Sequence, residues 1–404
     1  MKHAIFAASL LAAFAAAGPV SAYQGDEAMG PPIDGGPFGA PGYGEYPPRG
    51  GIPVPPEGYG GPFGGRDSAF PPPHAARAPA PGFMPHASAP DTAGSVEAAR
   101  RLYTVADTVA LAGAPLCKGR VRPHSGMRAW SRDGLGPQSP RVAGRQAPDH
   151  GVTVFTIAKN GPAEKAGLRP GDLIIAVNGE TIPALAGAMG IYAGKMEAAL
   201  AQGGPLLIGY MRGGERHVAR VAPAPACDYR VVFSNAPIVN AATDGRSVLV
   251  MRGLVNFLTR DDELALVVGH ELGHNVLGHF ERGRLLGHQA GPFNAGAHAS
   301  MRQFEREADH IGLYFVALAG YDMQTAIESS RKMAVQGPMG DRGSATHPSQ
   351  AERYAALQAA LREIRAKVAL GRALAPDLPK IREAGRRERF YGGAAEVERR
   401  LPIQ

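Results

Sequence analysis

Between Gly269 and His279 the chain reads GHELGHNVLGH, which packs three histidines and a glutamate into one short stretch. On a helix, His270 and His274 lie four residues apart and project from one face, about 40° apart around the axis. Two imidazoles so placed can share one zinc ion at about 2.0–2.1 Å. Glu271, beside His270, reaches a water on that metal without ligating it, which suits a general base. The stretch upstream, TRDDELALVV, opens with Thr259 and acids in the first turn, a sound helix start.

Two histidines leave a zinc site incomplete, so a third ligand is needed. The metzincin pattern counted from His270 needs Gly at 277 and His at 280, but this chain has Leu277 and Phe280, with Gly278 and His279 one place out of phase. His279 therefore points about 100° from the required direction. It reads as a residue behind the ligands, or at the helix end where a cation would favour the dipole. MRQFEREADHIGLYFVALAGYD supplies a better candidate, with Glu305 and Asp309 four apart on a second helix. A carboxylate from a neighbouring helix completes a His₂Glu site and leaves a position for water or substrate, which is catalytic geometry. Asp309 can orient a ligand histidine through its free ring N–H. Glu307 falls on the wrong face and is expected in solvent. The competing reading of the motif alone is a histidine-rich helix with no metal.

These helices need a scaffold, and the 404 residues allow two or three domains. The opening MKHAIFAASLLAAFAAAGPVSA has a basic start, an apolar run and a small-residue end at Ala22, the pattern of a secretory signal peptide. No later stretch approaches the ~20 apolar residues that span a bilayer. The 54 Gly and 36 Pro are concentrated near the N-terminus, where residues 23–92 hold too few large apolar side chains to order a core. The formal charge of +7 is spread among acids except in the tail, KIREAGRRERF and EVERR. That reads as a solvated face, and no nucleic-acid partner is expected.

SVEAARRLYTVADTVALAGA is expected to be a helix with Val96, Leu102, Val105, Val109 and Leu111 tending to one face. From about residue 122 to 223 short strands and turns follow: GVTVFTIA, the short helix GPAEKAGL, an Asn-Gly hairpin in RPGDLIIAVNGETI, a helix over LAGAMGIYAGKMEAALA, and a hairpin about Gly213-Gly214. NGPAEKAGLRPGDLIIAVNGETI resembles the core signature of a PDZ domain. The resemblance implies a groove between a strand and the second helix that takes an extended peptide, with backbone N–H groups holding a terminal carboxylate. GLGP at 134–137 is the candidate carboxylate loop. Cys117 and Cys227, the two cysteines, flank this segment, and in an exported protein they favour a disulfide that clamps its two ends.

NAATDGRSVLVMRGLVNF, DDELALVVGHELGHNVLGH, FEREADHIGLYFVALAGYD and THPSQAERYAAL together resemble the gluzincin metallopeptidase family that contains HtpX and the CAAX prenyl endopeptidases. The resemblance spans roughly residues 240 to 357. It implies one zinc per chain held by His270, His274 and Glu305, with Glu271 as base. RSVLVMRG resembles the family's strand beside the cleft, where substrate adds as an extended strand. His347 in THPSQAER matches a histidine that in some relatives approaches the metal, as a switch or a transition-state contact. Arg353 is assigned either to bracing that loop or to an oxyanion. HtpX and the prenyl endopeptidases have several membrane spans and this chain has none, so a lipidated substrate is not expected.

The fold expected is α+β: a mostly helical gluzincin domain with a small edge sheet, and a β-rich PDZ domain inserted near its N-terminal helix. The divisions are a signal peptide (1–22), a Gly/Pro-rich segment (23–92), the first protease helix (93–121), the PDZ domain (122–223), the zinc protease domain (224–370) and a basic tail (371–404). The function expected is a periplasmic zinc endopeptidase acting on unfolded or damaged envelope proteins, its PDZ domain recruiting or sensing peptides. A PDZ-based binding or chaperone-like protein with a low-turnover metal site is the alternative. A third reading is a latent enzyme, in which His347 or the glycine-rich 281–300 loop covers the site.

Overall fold

The computed structural model describes residues 93–117, 119–131, 151–283, 295–336, 343 and 347–378. The signal peptide, the Gly/Pro-rich leader, GLGP at 134–137 and the tail beyond 378 lie outside the described residues.

Two separate apolar cores organise the chain. Helix α1 (Ala93–Ala112) and a 3-10 turn (Ala114–Cys117) lead into β1 (Val121–His124). A six-stranded sheet follows, made of β2 (Met127–Ser131), β3 (Val152–Ile157), β4 (Leu173–Val177), β5 (Glu180–Thr181), β6 (Leu206–Arg212) and β7 (Glu215–Val221). Its order is β2-β3-β4-β6-β7, with β5 beside β4. The Asn178-Gly179 turn between β4 and β5 has positive φ at both residues, as a tight hairpin requires. Helices α2 (Pro162–Lys165) and α3 (Ala188–Gln202) close the unit. Its core gathers Met127, Val154, Ile174, Tyr192, Met196, Leu206 and Val221, and is distinct from that of the helical region.

The chain leaves and re-enters the helical region at one point. Strand β8 (Ala224–Cys227) pairs antiparallel with β1, placing Val121 opposite Cys227. Cys117 and Cys227 are joined there as a disulfide, their Cα atoms 5.6 Å apart.

Beyond the stem, β9 (Arg230–Ser234), β10 (Ala241–Thr243) and β11 (Ser247–Met251) form a small sheet in the order β10-β11-β9. Strand β11 pairs parallel with β9 and antiparallel with β10. This corrects the expectation for RSVLVMRG. Its strand is central, both of its edges are bonded, and an added chain finds no free N–H or C=O row on it. The open edges belong to β9 and β10.

Helices α4 (Arg252–Phe257), α5 (Asp261–Val276), α6 (Ala295–Leu318), α7 (Met323–Gln336) and α8 (Gln350–Ala369) complete the fold. Two helix starts differ from the sequence reading. Helix α5 begins at Asp261 rather than Thr259, because the Glu263 carboxylate accepts from the Arg260 N–H at 3.1 Å. Helix α6 begins at Ala295, so the last residues of the expected 281–300 loop are helical, and 284–294 lie outside the described residues.

Helix α1 is buried on two faces rather than one. Leu102, Val105 and Val109 enter the helical core, whereas Val96, Ala99 and Tyr103 pack on Trp130 and Phe155 of the six-stranded sheet. Asp107 of α1 and Arg128 of β2 cross this seam as a bidentate pair at 2.8 Å, both largely shielded from solvent. Arg128 also lies over the Tyr103 ring, 4.1 Å from its centroid. The second domain is thus seated on the first helix of the other.

Candidate metal centre

The centre is built where α5 crosses α6, and three glycines permit the crossing. A Cβ added at Gly269 would meet the Gly312 carbonyl at 2.8 Å, and one at Gly273 would meet Ile311 Cγ2 at 2.5 Å. From the other side, a Cβ on Gly312 would sit 2.9 Å from the His270 N. Backbones this close bring Glu305, just over one helical turn before Asp309, over the two histidines.

His270, His274 and Glu305 offer donor atoms that all lie within 4.8 Å of one another, and all three residues are buried. His270 Nε2 is 3.0 Å from His274 Nε2 and 3.5 Å from Glu305 Oε2, and His274 Nε2 is 3.4 Å from Glu305 Oε1. A tetrahedral ion with bonds of about 2.0–2.1 Å needs ligand–ligand edges of about 3.3 Å. The donor set and its spacing therefore fit zinc.

The outer side of each histidine is also held. Asp309 Oδ1 accepts from His270 Nδ1 at 2.9 Å, which leaves Nε2 facing the centre. Arg353 of α8 donates to both Asp309 oxygens, at 2.8 and 2.5 Å. Its Nη2 also lies 3.3 Å from His270 Nδ1, so Arg353 braces Asp309 and His270 rather than the loop that carries His347. His274 Nδ1 lies 3.1 Å from His279 Nδ1, and His279 Nε2 lies 3.3 Å from Glu307 Oε2.

Two sequence expectations change here. Glu307 is 1% exposed, not solvated, because the face of α6 turned from the metal cluster packs on residues that follow α5. His279 is wholly buried, and burial pushes its pKa down to about 3, so it is not a cation at the helix end.

The electrostatics follow from burial and neighbouring charge. Burial opposes charge on His270, but its hydrogen bonds to Asp309 and Glu305 prevail and lift its pKa to about 10. The pocket is thus built to hold positive charge, whether a proton or a metal. Burial also resists ionisation of Glu305, yet His274 and His270 hold its carboxyl well below the usual range. Asp309 is likewise held down to about 2, against burial, by Arg353. Glu271 moves the other way, its pKa raised chiefly by burial.

His347 enters from the turn before α8. Its Nε2 is 3.7 Å from Glu305 Oε1, and burial lowers its pKa. Its backbone carbonyl accepts from Arg302 at 2.8 Å, and Arg302 also reaches Glu352 at 2.7 Å. Ser349 and Glu352 cap α8 reciprocally, which fixes the turn that carries His347. The sequence reading missed the three glycines. Their signal was Gly at 269 and 273, four apart on the motif's own helix.

Two histidines from HExxH, a glutamate from the next helix and an aspartate four residues on make a candidate His₂Glu metal centre. Residues 212–289 and 283–361 match the model of Peptidase family M48, and residues 153–189 match that of the PDZ domain. Both matched segments lie on an α+β fold, the first chiefly in the helical region and the second in the six-stranded unit. The first match opens at Arg212, the last residue of β6, and takes in β7, which pairs with β6 along its length and belongs to the six-stranded sheet. Over 146 residues the chain is 34% identical to the mitochondrial metalloendopeptidase OMA1 of Arabidopsis thaliana, covering 31% of this chain and 30% of that relative. Among solved structures it is similar to the HtrA3 PDZ domain bound to a phage-derived ligand (22% identity, 26% of this chain and 88% of that one, TM-score 0.20). It is also similar to the HtrA-type protease AlgW with decapeptide (20% identity, 26% and 30%, TM-score 0.18). Among the described residues, no helix is long and apolar enough to cross a membrane.

Proposed function

We propose that this chain is a zinc endopeptidase in which His270, His274 and Glu305 hold one zinc and Glu271 is the general base. The observation that carries the reading is the convergence of those three donors at tetrahedral spacing, with a buried, unligated carboxylate beside them. Bound there, zinc supplies Lewis-acid polarisation of water and of the scissile carbonyl. Glu271 takes the proton of the attacking water and passes it to the leaving amine. Its raised pKa brings its proton affinity nearer neutrality, where such a transfer is most effective. Asp309, held by Arg353, keeps His270 in the tautomer that presents Nε2.

The substrate proposed is unfolded or damaged polypeptide, taken in extended form. Strand β10 is an edge strand packed near α5, and it can accept such a chain where the central β11 cannot. In the PDZ domain β2 ends the strand order and lies against α3, so a recruited peptide would add there. The signal-like start of the sequence supports a periplasmic site of action. The plant relative's name places that protein in mitochondria, and supports a role in proteolysis rather than a compartment.

The test pairs metal content with casein cleavage, on wild type and on Glu271→Gln. One zinc per chain in both, with cleavage only in the wild type, is the outcome expected. Zinc in both with no cleavage in either would favour the peptide-binding alternative. No zinc in the wild type would end the reading.

A further inference from the structure

Behind His274 the HExxH reading leaves two buried titratable residues unused, His279 and Glu307. Neither faces the donor cluster, and together they form a continuous path to one of its ligands. His279 is wholly buried and Glu307 is 1% exposed. The His279 ring stacks on Phe304 with centroids 4.6 Å apart and planes 13° apart, which fixes the direction of both its nitrogens. One nitrogen meets Glu307 Oε2 at 3.3 Å and the other meets His274 Nδ1 at 3.1 Å. Glu307 is itself approached by Gln303 Nε2 at 3.3 Å and by Arg282 Nη2 at 3.6 Å.

Proton accounting gives this chain one sense. A carboxylate only accepts, so Glu307 requires the proton of His279 on Nε2. His279 Nδ1 is then an acceptor, and the partner it faces, His274 Nδ1, must donate. A neutral imidazole with its proton on Nδ1 has its lone pair on Nε2, the atom that faces His270 and Glu305. His270 obtains the same result more directly from Asp309 and Arg353. Burying a carboxylate and an imidazole is costly unless they are hydrogen-bonded, and here the bonds run from Glu307 through His279 to His274.

We propose that His279 and Glu307 are positioning residues that lock the tautomer and ring orientation of His274, and so set the affinity of the centre for zinc. This rests on the reading that His270, His274 and Glu305 bind the metal.

The experiment is a zinc titration against a competing chelator at neutral pH, with melting of the chelator-treated protein alongside. His279→Phe keeps the ring stack and removes both nitrogens, whereas His279→Asn keeps an acceptor near the position of Nδ1. The expected result is a zinc Kd about 10–100-fold weaker for His279→Phe. The metal-free melting temperature stays close to wild type, and His279→Asn recovers a large part of the affinity. A merely structural role would lower melting without separating the two variants in Kd. If His279→Phe does not fold, Glu307→Gln and Glu307→Met decide in its place, since Gln retains an acceptor for His279 and Met does not. Equal zinc Kd values across wild type and the folded variants overturn the proposal while leaving the metal centre standing. Absence of zinc from the wild type overturns both.

Discussion

At the residue scale the centre is a set of donors whose orientation is fixed from behind. Arg353 is the clearest case, because it touches no donor atom of the cluster and holds the aspartate that holds His270. Arg353→Leu leaves Asp309 buried without its counter-charge, a loss of about 3–5 kcal/mol. Zinc affinity should fall about 10–100-fold with it. Urea denaturation and chelator competition read the two effects, and Arg353→Lys should restore little of either, since an ammonium cannot reproduce the fork. His347 differs, since it approaches Glu305 Oε1, the oxygen that also faces His274, and is not among the three donors. His347→Ala should leave zinc Kd within about threefold and reduce casein cleavage about tenfold or more, as expected of a group placed for the transition state. A rise in cleavage would instead make His347 a cover.

Helices decide whether those residues meet. The donors themselves were legible in the sequence, because His270 and His274 repeat at the helical period and Glu305 and Asp309 repeat it on a second helix. What the pattern could not convey is the distance between the two helices, which is set by glycines on both. Gly312 has the His270 backbone where its Cβ would be. Gly312→Ala must push α5 and α6 apart by a few tenths of an ångström or more, against a packed core. The expected outcome is a loss of about 1–3 kcal/mol, typical of overpacking. A weaker zinc Kd follows, since Glu305 moves with α6. Unchanged zinc affinity in a folded Gly312→Ala protein would show that the crossing does not set the site. Strand β11 teaches the same limit from the sheet side. Its residues read as a strand, but its place between β9 and β10 depends on an antiparallel pairing with one preceding strand and a parallel pairing with another, which alternation does not encode. Glu307 was misplaced for a similar reason, since the surface that buries it follows α5 and is distant in sequence.

Across the whole molecule the question is how firmly the six-stranded unit is tied to the helical region. Three ties converge on α1 and its end: the Cys117–Cys227 disulfide, the β1–β8 stem, and the buried Asp107–Arg128 pair. His124 lies in the same seam, with Nε2 3.9 Å from Asp107 and Nδ1 accepting from the Gly126 N–H at 2.9 Å. Burial pushes its pKa down from 6.5 to about 4. The sign follows directly. Below about pH 6.5 the unfolded chain binds a proton at His124 that the folded chain refuses until about pH 4, so the contribution of this residue to stability is complete above 6.5 and is lost as pH falls. Between pH 7.5 and 5.0 the loss from His124 is about 2 kcal/mol, at about 1.4 kcal/mol per unit. Asp107, whose pKa is lowered by Arg128 despite its burial, keeps its charge over that interval and loses its contribution only at lower pH. Trp130, the single tryptophan, lies in the seam against Tyr103 and Phe155 and reports on it by fluorescence. Denaturation followed at Trp130, on chelator-treated protein at the two pH values, should therefore show His124→Gln losing about 2 kcal/mol less than wild type. Equal losses in the two proteins would mean that the seam is hydrated in solution and that the PDZ domain rests on α1 more loosely than its contacts suggest.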